Sequence, residues 1–374
     1  MNIIYIRSTD VKYDSRAQKE VNSLIKNKKN DIVVLSWDRN SEGDVRRENW
    51  RLENGVVEIY YFPILATWGG GMKKNSFPML RFIKNVRNWV DSSSGFEAIH
   101  FCELPIAMSI MGTAKKKRLK VVYDIYDYYP DLRKSNKVIR RILVSMENYA
   151  IERANAIIIC NEERLKQIGK AKFKKVEIIH NAPAEIKFGQ YTLKSDSKKI
   201  KFVYIGNLVE ERLIRIVINF FQANQEFELH IGGIGILSDE VQKVSEECNN
   251  IFYYGKMEYK DVLSVESQCD IIIALYDPSI PNHKYVAANK FYEALYLGKP
   301  LLMCKNTGID RVIDEAGIGV TIEPNIEGLA RGIEQIVGNK DQWPNIGEKE
   351  RALFYKKYSW DIMEARLDKL YEGL

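Results

Sequence analysis

The sequence predicts two α/β domains, each built on a doubly wound parallel β-sheet that helices cover on both faces. Its 374 residues exceed one ordinary hydrophobic core and suit two domains of about 150–200 residues each. Short β-branched or aromatic runs alternate with helical patterns along the chain. Runs such as Lys201–Ile205 and Ile271–Leu275 are almost wholly apolar, which is typical of strands buried on both faces. Strand–helix–strand repetition in both halves therefore favours two separate α/β sandwiches.

Thirteen strands are predicted from these runs. In the first half they are Asn2–Ile6, Asp31–Ser36, Val56–Tyr61, Ala98–Cys102, Lys120–Asp124, Ala156–Cys160 and Val176–Ile179. In the second half they are Ile200–Ile205, Phe227–Ile231, Ile251–Tyr254, Asp270–Leu275, Pro300–Cys304 and Gly319–Ile322. We expect an N-terminal domain at 1–185, a polar linker at 186–199, a C-terminal domain at 200–348 and a closing helical segment at 349–374 that crosses back to the N-terminal domain.

The composition excludes several classes of protein. Hydrophobic residues make up 45% of the chain and aromatic residues 11%, which excludes a largely disordered chain. The longest apolar uncharged stretch, Ile59–Met72, is shorter than the about 20 residues of a membrane-spanning helix. The N-terminus lacks the pattern of a secretory signal. The five cysteines are scattered singly, so we expect neither disulfides nor structural zinc, and a reducing, cytoplasmic location.

Charge is distributed unevenly along the chain. Residues 1–200 hold 37 Lys and Arg against 23 Asp and Glu, although the net charge of the whole chain is only +6. A basic first half suits nucleic acid, an anionic membrane surface or a phosphate-bearing substrate. No aromatic-interleaved basic motif or zinc-finger spacing is present, so we expect no nucleic-acid partner. The run Lys115–Arg118 has the density of a membrane-surface patch, and a solvated helix end explains it equally well.

Candidate binding residues follow the predicted strands of the second half. Open parallel sheets bind their ligands at this place, beyond the carboxyl ends of the strands. Gly206 and Asn207 directly follow a strand, and Gly206 allows a sharp turn. Arg212 stands near the start of the next helix, where a guanidinium could neutralise a diphosphate. The alternative is a solvent-facing arginine paired with Glu211. A tight connection and close approach to phosphate explain the glycine-rich turn His230–Gly235 equally well.

One helical stretch carries three more candidates. Asn289 is a plausible N-cap, so that free backbone N–H groups there, next to Lys290, could hold a phosphate. Glu293 lies one turn into the helix and could accept two hydrogen bonds from a ribose diol. The helix dipole alone also favours an acid in a first turn, which is the alternative explanation for Glu293.

The first half offers a polar–aromatic loop. Asp124–Asp131 follows a strand and contains three acids and three tyrosines, among them Tyr126 and Asp127. Rings that stack and carboxylates that accept hydroxyl groups suit sugar binding, and ordinary loop chemistry is the rival explanation. His100 lies within another strand near its end, and a lone histidine there is more often a buried core group than a catalyst.

These segments together resemble the retaining glycosyltransferases of family 4, which have the GT-B fold. The resemblance extends over almost the whole chain. The segment Gly206–Arg212 resembles the family's GRLVxxKG, which places Arg212 on a lysine that contacts the donor diphosphate and Asn207 on an arginine. The segment Asn289–Pro300 resembles the donor-site helix and places Glu293 on the second glutamate of an E-x7-E motif, the one that binds the nucleotide ribose.

The first half resembles the same family at four segments, AIHFCELPIAMS, KVVYDIYDYYPD, IIHNAP and STDVKYDSRAQKE. Arg16 matches a frequent arginine of the opening loop. Tyr126 occupies the position of a histidine that lies near the donor sugar, and Asp127 is the acid that follows. In the second half, Tyr285 stands where the first glutamate of E-x7-E is expected. The resemblance therefore implies Arg212, Tyr126 and Asp127 as the candidate catalytic residues. Arg16, His100 and Tyr285 are candidates for contact with the acceptor or the sugar.

The resemblance implies two Rossmann-like domains facing across a cleft and transfer of a sugar from a nucleotide-sugar with retention of configuration. In the family's front-face displacement the leaving diphosphate helps to accept the acceptor's proton, and here Arg212, the helix start at Asn289 and Lys290 would hold that diphosphate. No metal and no other cofactor is expected, and no Asp-x-Asp motif is present. The acceptor is expected to be a glycan or a lipid-linked molecule, in polysaccharide, capsule or glycolipid assembly.

The basic first half is also expected to contact the inner face of an anionic membrane, through lysines and through exposed Phe62, Ile64, Leu65 and Trp68. Two alternatives to the active transferase stay open. One is a catalytically inactive homologue that serves as a partner or scaffold, which the tyrosines at 126 and 285 support. The other is a nucleotide-sugar 2-epimerase of the same fold.

Overall fold

The computed structural model describes the chain from Met1 to Leu374 except residues 68–70, 133–135, 186–187, 190 and 196, and except the side chains at 71–73. The described residues form two compact units. Unit 1 consists of Met1–His180 together with Asp361–Leu374, and unit 2 consists of Asn181–Trp360. Trp68 and four residues of the expected linker lie outside the described residues.

Unit 1 contains an eight-stranded sheet. Its strands are β1 (Asn2–Arg7), β2 (Asp31–Asp38), β3 (Arg46–Arg51), β4 (Val56–Pro63), β5 (Ala98–Cys102), β6 (Lys120–Ile125), β7 (Ala156–Ile159) and β8 (Val176–Ile178). They pair in the order β3-β4-β2-β1-β5-β6-β7-β8. The central strands are apolar because helices cover both faces of the sheet, and β5 buries all of its residues.

Unit 2 contains a six-stranded sheet in which every strand pairs in parallel. Its strands are β9 (Ile200–Ile205), β10 (Phe227–Gly232), β11 (Ile251–Tyr253), β12 (Ile271–Ala274), β13 (Leu301–Cys304) and β14 (Gly319–Ile322). They pair in the order β11-β10-β9-β12-β13-β14. All thirteen predicted strands are therefore present, with ends within two residues of the prediction.

Helices connect these strands. They are α1 (Ser15–Lys26), α2 (Gly71–Ser92), α3 (Leu104–Lys116), α4 (Lys137–Arg153), α5 (Arg164–Ile168), α6 (Ile214–Ala223), α7 (Ser238–Glu247), α8 (Tyr259–Gln268), α9 (Asn289–Leu297), α10 (Asp310–Ala316), α11 (Ile326–Gly338), α12 (Trp343–Leu353) and α13 (Trp360–Glu372). In unit 1, α2 packs on α3 and α3 packs on α4. Each of these three follows a strand that is parallel to the others, so their amino ends lie at the carboxyl edge of the sheet.

The edge strand β3 departs from the prediction of a wholly parallel sheet. It pairs antiparallel with β4, and the sequence does not predict it. Its residues, RRENWR, include one apolar side chain, Trp50, which is buried. An edge strand tolerates charged side chains because one of its sides faces solvent. A search for apolar runs therefore misses it.

Two of the side chains expected on a membrane-facing surface are buried instead. Phe62 lies in β4 and meets the ring of Phe82 edge-on at 5.9 Å, and Ile64 directly follows the strand and packs in the same core. The prediction was wrong because β4 continues beyond Tyr61 and carries these residues into the interior. Leu65 is exposed. No helix among the described residues has the length and apolar character to cross a bilayer.

Burial of Glu147 in unit 1 predicts a pH-dependent stability. Its carboxylate accepts hydrogen bonds from the Tyr123 hydroxyl at 2.8 Å and the Tyr129 N–H at 3.1 Å, and it is fully buried on α4. Burial raises the pKa of Glu147 to about 7. A carboxyl whose pKa is higher in the folded than in the unfolded chain stabilises the fold at low pH, and that stability is lost as the pH rises through the folded pKa.

The stability of Glu147→Gln relative to the wild-type protein should therefore increase between pH 5 and pH 8. The gain should reach about 3 kcal/mol, because a shift of one pKa unit corresponds to about 1.4 kcal/mol. Calorimetric Tm values of both proteins at four pH values across this range measure the difference. Glu20, whose pKa burial also raises to about 7, titrates in both proteins and cancels in the comparison. Glu53→Gln, at an exposed turn, is the control. A Tm difference that stays constant with pH would contradict the prediction.

Candidate functional site

The sheet of unit 2 has a topological switch point between β9 and β12. From β9 the chain proceeds to β10 and β11 on one side, and it later enters β12 on the other side of β9. The connections that leave these two neighbouring strands therefore diverge at the carboxyl edge of the sheet. Such a crevice is where open α/β sheets bind their ligands.

Arg212 lies at this switch point. Its Nη1 is 2.9 Å from Nε2 of His283, and its guanidinium carbon is 3.8 Å from the ring centre of Tyr276. Nδ1 of His283 is 2.8 Å from the backbone carbonyl oxygen of Asp277, which favours a proton on Nδ1 and leaves Nε2 to accept from Arg212. The connection after β12 thus holds the arginine, and this arrangement disfavours the alternative pairing with Glu211.

Close packing of two backbone segments explains the glycine-rich turn after β10. A Cβ atom at Gly233 would lie 1.7 Å from the carbonyl oxygen of Gly206, and one at Gly235 would lie 2.2 Å from that of Leu208. Both positions therefore require glycine whatever the ligand. Of the two explanations that the sequence left open, the tight connection is sufficient.

The amino end of α9 lies beside the end of β9. Lys290 is buried, and its Nζ donates a hydrogen bond to the carbonyl oxygen of Ile205 and lies 5.1 Å from the ring centre of Tyr204. The prediction of Asn289 as the N-cap is wrong, because Asn289 is already helical and Ala288 is the cap residue. Alanine offers no side-chain acceptor, so no side chain caps the first turn of α9.

Glu293 lies one turn further along α9 and is 2% exposed. The hydroxyl of Tyr259 is hydrogen-bonded to its carboxylate, and burial together with that carboxylate raises the pKa of Tyr259 well above its ordinary value. Glu266 is a buried neighbour on α8, and burial, followed by the charge on Glu293, raises the pKa of Glu266 well above its ordinary value. Of these two neighbouring carboxyls, Glu266 is therefore the one whose ionisation is opposed both by burial and by the other carboxylate.

Two further candidates of unit 2 lie in connections at the carboxyl edge. Asn207 is exposed directly after β9, and its backbone carbonyl accepts a hydrogen bond from the Tyr204 hydroxyl at 2.8 Å. Tyr285 ends the 3₁₀ turn Pro281–Tyr285. A Cβ atom at Gly308 would lie 3.4 Å from the Cα of Tyr285, so the connections after β12 and β13 pack closely there.

The sheet of unit 1 has its own switch point, between β1 and β5. Arg7, at the end of β1, donates to Asp14 at 2.6 Å and to Glu103 at 2.8 Å, and the Ser8 hydroxyl also donates to Glu103. Glu103 directly follows β5 and has a φ of 75°, which non-glycine residues rarely adopt. Strained backbone at a strand's carboxyl end is typical of functional sites.

The predicted candidate Arg16 lies inside unit 1, 5% exposed. Its Nη2 is 3.1 Å from Asp124, its Nε is 2.9 Å from Glu20, and its Nη1 donates to the carbonyl oxygen of Ile179 at 2.6 Å. The guanidinium therefore joins α1, β6 and the segment after β8. In this position it orders neighbouring groups and is not open to solvent.

His100 lies in the same interior. Its Nδ1 is 2.8 Å from the hydroxyl of Tyr371 on α13, and its Nε2 lies 3.7 Å from Asp124 and 3.8 Å from Glu20. Burial lowers the pKa of His100 to about 4, so the ring is neutral near pH 7. The expectation that a lone histidine at this place is a buried core group agrees with its contacts.

Tyr126 and Asp127 follow β6 at the carboxyl edge of unit 1. The Tyr126 ring is half-buried, with the guanidinium carbons of Arg7 and Arg16 at 4.3 Å and 4.8 Å from its centre, and its hydroxyl is 3.2 Å from that of Tyr5. Asp127 is exposed, and its carboxylate lies 3.7 Å from a guanidinium nitrogen of the buried Arg164. Tyr126 thus lies between the predicted candidate Arg16 and Arg7 at the switch point. The sequence analysis did not single out Arg7.

One group of side chains in unit 1 has the composition of a metal site. Ligand atoms of His100, Cys102 and Asp124 lie within 4.8 Å of one another. The guanidinium of Arg16 already holds the Asp124 carboxylate through two nitrogens. A fixed positive charge at that distance opposes a second cation, so the group fits an ion-pair network better than a metal centre.

Comparison with known proteins identifies unit 2. Residues 190–360 match the profile of the family described as Glycosyl transferases group 1. This segment is a glycosyl transferases group 1 domain. A curated relative, a probable glycosyltransferase WbjE of Pseudomonas aeruginosa, is 26% identical over 165 residues, which cover 42% of this chain and 40% of the relative. The group 1 domain thus coincides with unit 2 over nearly its whole length, and the predicted family is confirmed.

Two solved structures resemble the whole chain. A sucrose-phosphate synthase from Thermosynechococcus elongatus has a TM-score of 0.75 at 12% identity and covers 100% of this chain and 98% of its own. Anabaena HepE in complex with UDP-glucose has a TM-score of 0.69 at 13% identity and covers 100% of both chains. At such low identity the likeness establishes the fold, and the predicted GT-B fold of two parallel-sheet α/β domains is confirmed.

The group 1 domain carries two site residues that sequence reasoning missed, His283 and Tyr276, which hold Arg212. A weak signal existed for them, since both follow a predicted strand. Arg7 and Glu103 of unit 1 gave the same signal at the ends of β1 and β5. Tyr371 gave none, because nothing in a closing helix indicates which buried group it meets.

Proposed function

We propose that the chain is a retaining glycosyltransferase that moves a sugar from a nucleotide-sugar to a glycan or a lipid-linked acceptor. The observation that carries this proposal is the position of Arg212 at the β9–β12 switch point of a group 1 domain. Anabaena HepE, which shares the fold, was solved with UDP, with UDP and glucose, and with UDP-glucose. In this chain the nucleotide would occupy unit 2.

Charge stabilisation is the main chemical task of unit 2 in this proposal. When the bond between the sugar's anomeric carbon and the diphosphate breaks, negative charge grows on the diphosphate oxygens. Arg212 would donate to them from its fixed position on Tyr276 and His283. The uncapped amino end of α9 and the ammonium of Lys290, which lie beside the end of β9, would add positive potential. Asn207 and Gly206 would contribute backbone at the same turn.

Glu293 would hold the nucleotide ribose. Its carboxylate already accepts a hydrogen bond from the Tyr259 hydroxyl, which fixes its orientation. A fixed carboxylate is suited to accept hydrogen bonds from a diol. Small rotations that open this buried group to a ligand are required, since it is 2% exposed.

Unit 1 would bind the acceptor. Its Arg7, Tyr126 and Asp127 lie at the carboxyl edge of the sheet, and Arg16 and His100 support them from the interior. The acceptor hydroxyl would form the new bond to the anomeric carbon and transfer its proton to the leaving diphosphate. No metal or other cofactor enters this scheme.

Nucleotide binding and product analysis test the proposal together. A thermal-shift series with UDP, GDP, ADP and CMP should select one base, with about 2.7 kcal/mol of stabilisation at 100 times the dissociation constant. Incubation with the matching nucleotide-sugars and an acceptor series should release the nucleoside diphosphate, and NMR should show the retained anomer in the product. Nucleotide binding without any turnover would favour the inactive homologue, and a 2-epimer of the donor would favour the epimerase.

We further propose that unit 1 docks on anionic membranes. The first half of α2 exposes Phe77 and Leu80, and the first half of α4 exposes Val138 and Ile142, all more than half exposed. The amino ends of α2 and α4 lie at the same edge of the sheet. Both helices belong to the half of the chain that has an excess of Lys and Arg. Apolar side chains beside basic ones favour insertion at an anionic surface.

Phe77→Ser combined with Leu80→Ser should reduce co-sedimentation with phosphatidylglycerol vesicles at least several-fold, because two inserting side chains are lost. The matched control is Ile236→Ser in unit 2, which removes a side chain that is 69% exposed. Wild-type binding should weaken with added salt. Co-sedimentation that is indifferent to salt and to lipid charge would contradict the proposal.

A further inference from the structure

Unit 1 contains a cavity that the proposed reaction does not use. Its volume is about 590 Å³, and it lies between the carboxyl ends of α3 and α4, where β6 begins. This is the amino edge of the sheet, opposite the edge that carries Arg7 and Tyr126. The lining residues are Met111, Gly112, Lys115, Arg118, Leu119, Lys120, Val121, Tyr149, Glu152, Arg153, Asn155 and Lys174.

The lining is strongly basic. It has five cationic side chains, Lys115, Arg118, Lys120, Arg153 and Lys174, against one acid, Glu152. Among the residues that the structure describes, no ion pair joins any of these five side chains to an acid, and the guanidinium carbon of Arg153 lies 3.6 Å from the ring centre of Tyr149. All five side chains are exposed to solvent, which screens their mutual repulsion, but together they give the cavity a positive potential that attracts anions.

Helix capping explains part of this charge. Lys115 and Arg153 lie in the last turns of α3 and α4, where the helix dipoles favour cations. Arg118, Lys120 and Lys174 lie outside the helices, so the dipoles do not account for them. The three additional cations are the part of the lining that needs another explanation.

Arg118 also occupies an unfavourable backbone conformation. Its φ is 58°, just after the end of α3, a place where glycine is the usual residue because it adopts this conformation without strain. Arginine at this position presents a guanidinium at the mouth of the cavity at a cost in backbone stability. Such a cost is typical of a residue kept for binding.

We propose that this cavity binds a compact polyanion that carries at least two phosphoryl groups, with Arg118, Lys120 and Lys174 as its main ligands. The ligand chemistry is the same for a soluble phosphorylated molecule and for the head group of a phosphorylated lipid. The site is independent of the proposed donor site, since unit 2 contributes nothing to it.

Titration calorimetry with inorganic pyrophosphate and tripolyphosphate tests the proposal on the full-length protein. Both probes should bind saturably, and Lys120→Gln combined with Lys174→Gln should weaken binding at least tenfold. Lys116→Gln is the matched control, because Lys116 belongs to the same basic run and does not line the cavity. Absence of saturable binding, or equal weakening by Lys116→Gln and by the double variant of Lys120 and Lys174, would overturn the proposal.

Arg118→Gly separates binding from folding. It should weaken binding of pyrophosphate and raise the Tm by about 2–4 °C, because glycine relieves the backbone strain. A variant that is more stable and binds less tightly cannot owe its weaker binding to unfolding. Unchanged affinity in this variant would count against Arg118 as a ligand and against the proposal.

Vesicles containing diacylglycerol pyrophosphate, a lipid whose head group carries two phosphoryl groups, distinguish the two sources of the ligand. If the cavity variants lose vesicle binding in parallel with pyrophosphate binding, the site holds a lipid head group. If they lose pyrophosphate binding alone, the ligand is soluble. Either result supports the site, provided that pyrophosphate binds as expected.

Discussion

Arg212→Ala is expected to weaken binding of the matching nucleoside diphosphate about 10- to 150-fold, the range of a hydrogen bond to a charged group. The variant should lose more in turnover than in binding. Negative charge on the diphosphate increases as the glycosidic bond breaks, so the guanidinium is worth more in the transition state than in the donor complex. We expect kcat/KM to fall by about 10²–10³. Calorimetry and initial-rate kinetics measure the two effects separately.

The neighbouring Arg215 supplies the control for this prediction. It lies on α6, is exposed, and pairs with Glu240 at 2.8 Å and with Glu210, so Arg215→Ala removes the same group without reaching the switch point. Glu293→Ala should lose donor affinity over the same range, about 10- to 150-fold, because it removes the hydrogen bonds to the ribose. Unchanged donor affinity in both Arg212→Ala and Glu293→Ala would show that the nucleotide binds elsewhere.

Arg16→Met is expected to destabilise the fold by about 3–5 kcal/mol. The substitution keeps much of the buried volume and removes the charge, which leaves Asp124 and Glu20 in the interior without their cation. These carboxyls are fully buried, so water cannot replace the lost partner. Burial raises the pKa values of both carboxyls even with Arg16 present. The loss should therefore increase as the pH rises, because the ionised carboxyls need the cation most.

A second substitution tests the cause of this effect. Asp124→Asn in the Arg16→Met background removes one orphaned charge and should restore part of the stability, so the two changes should be far from additive. Lys26→Met, at the exposed end of the same helix, breaks a surface pair with Glu364 and should cost less than about 1 kcal/mol. If Arg16→Met were as mild as Lys26→Met, the buried network would contribute little to stability.

The two halves of the candidate site differ in how far the sequence predicts them. Arg212, Lys290 and Glu293 each stand just after a strand or at a helix start, where local chain direction already limits what a side chain can reach. His283 is 71 residues from Arg212 in sequence, and only the pairing of β9 with β12 brings them to 2.9 Å. The pairing order of strands is not encoded in any local pattern, so this partner was not predicted.

The sequence by itself determined where the strands are, because burial on both faces of a parallel sheet requires continuous apolar runs. It also determined that ligand groups follow those strands. The tertiary structure decided which groups meet: the antiparallel edge strand β3, the interior ion pairs of Arg16, and the contact of Tyr371 with His100. These contacts depend on the order of the strands and on the return of the chain's end to unit 1. They join residues that are far apart in sequence, so the local periodicity of the sequence does not predict them.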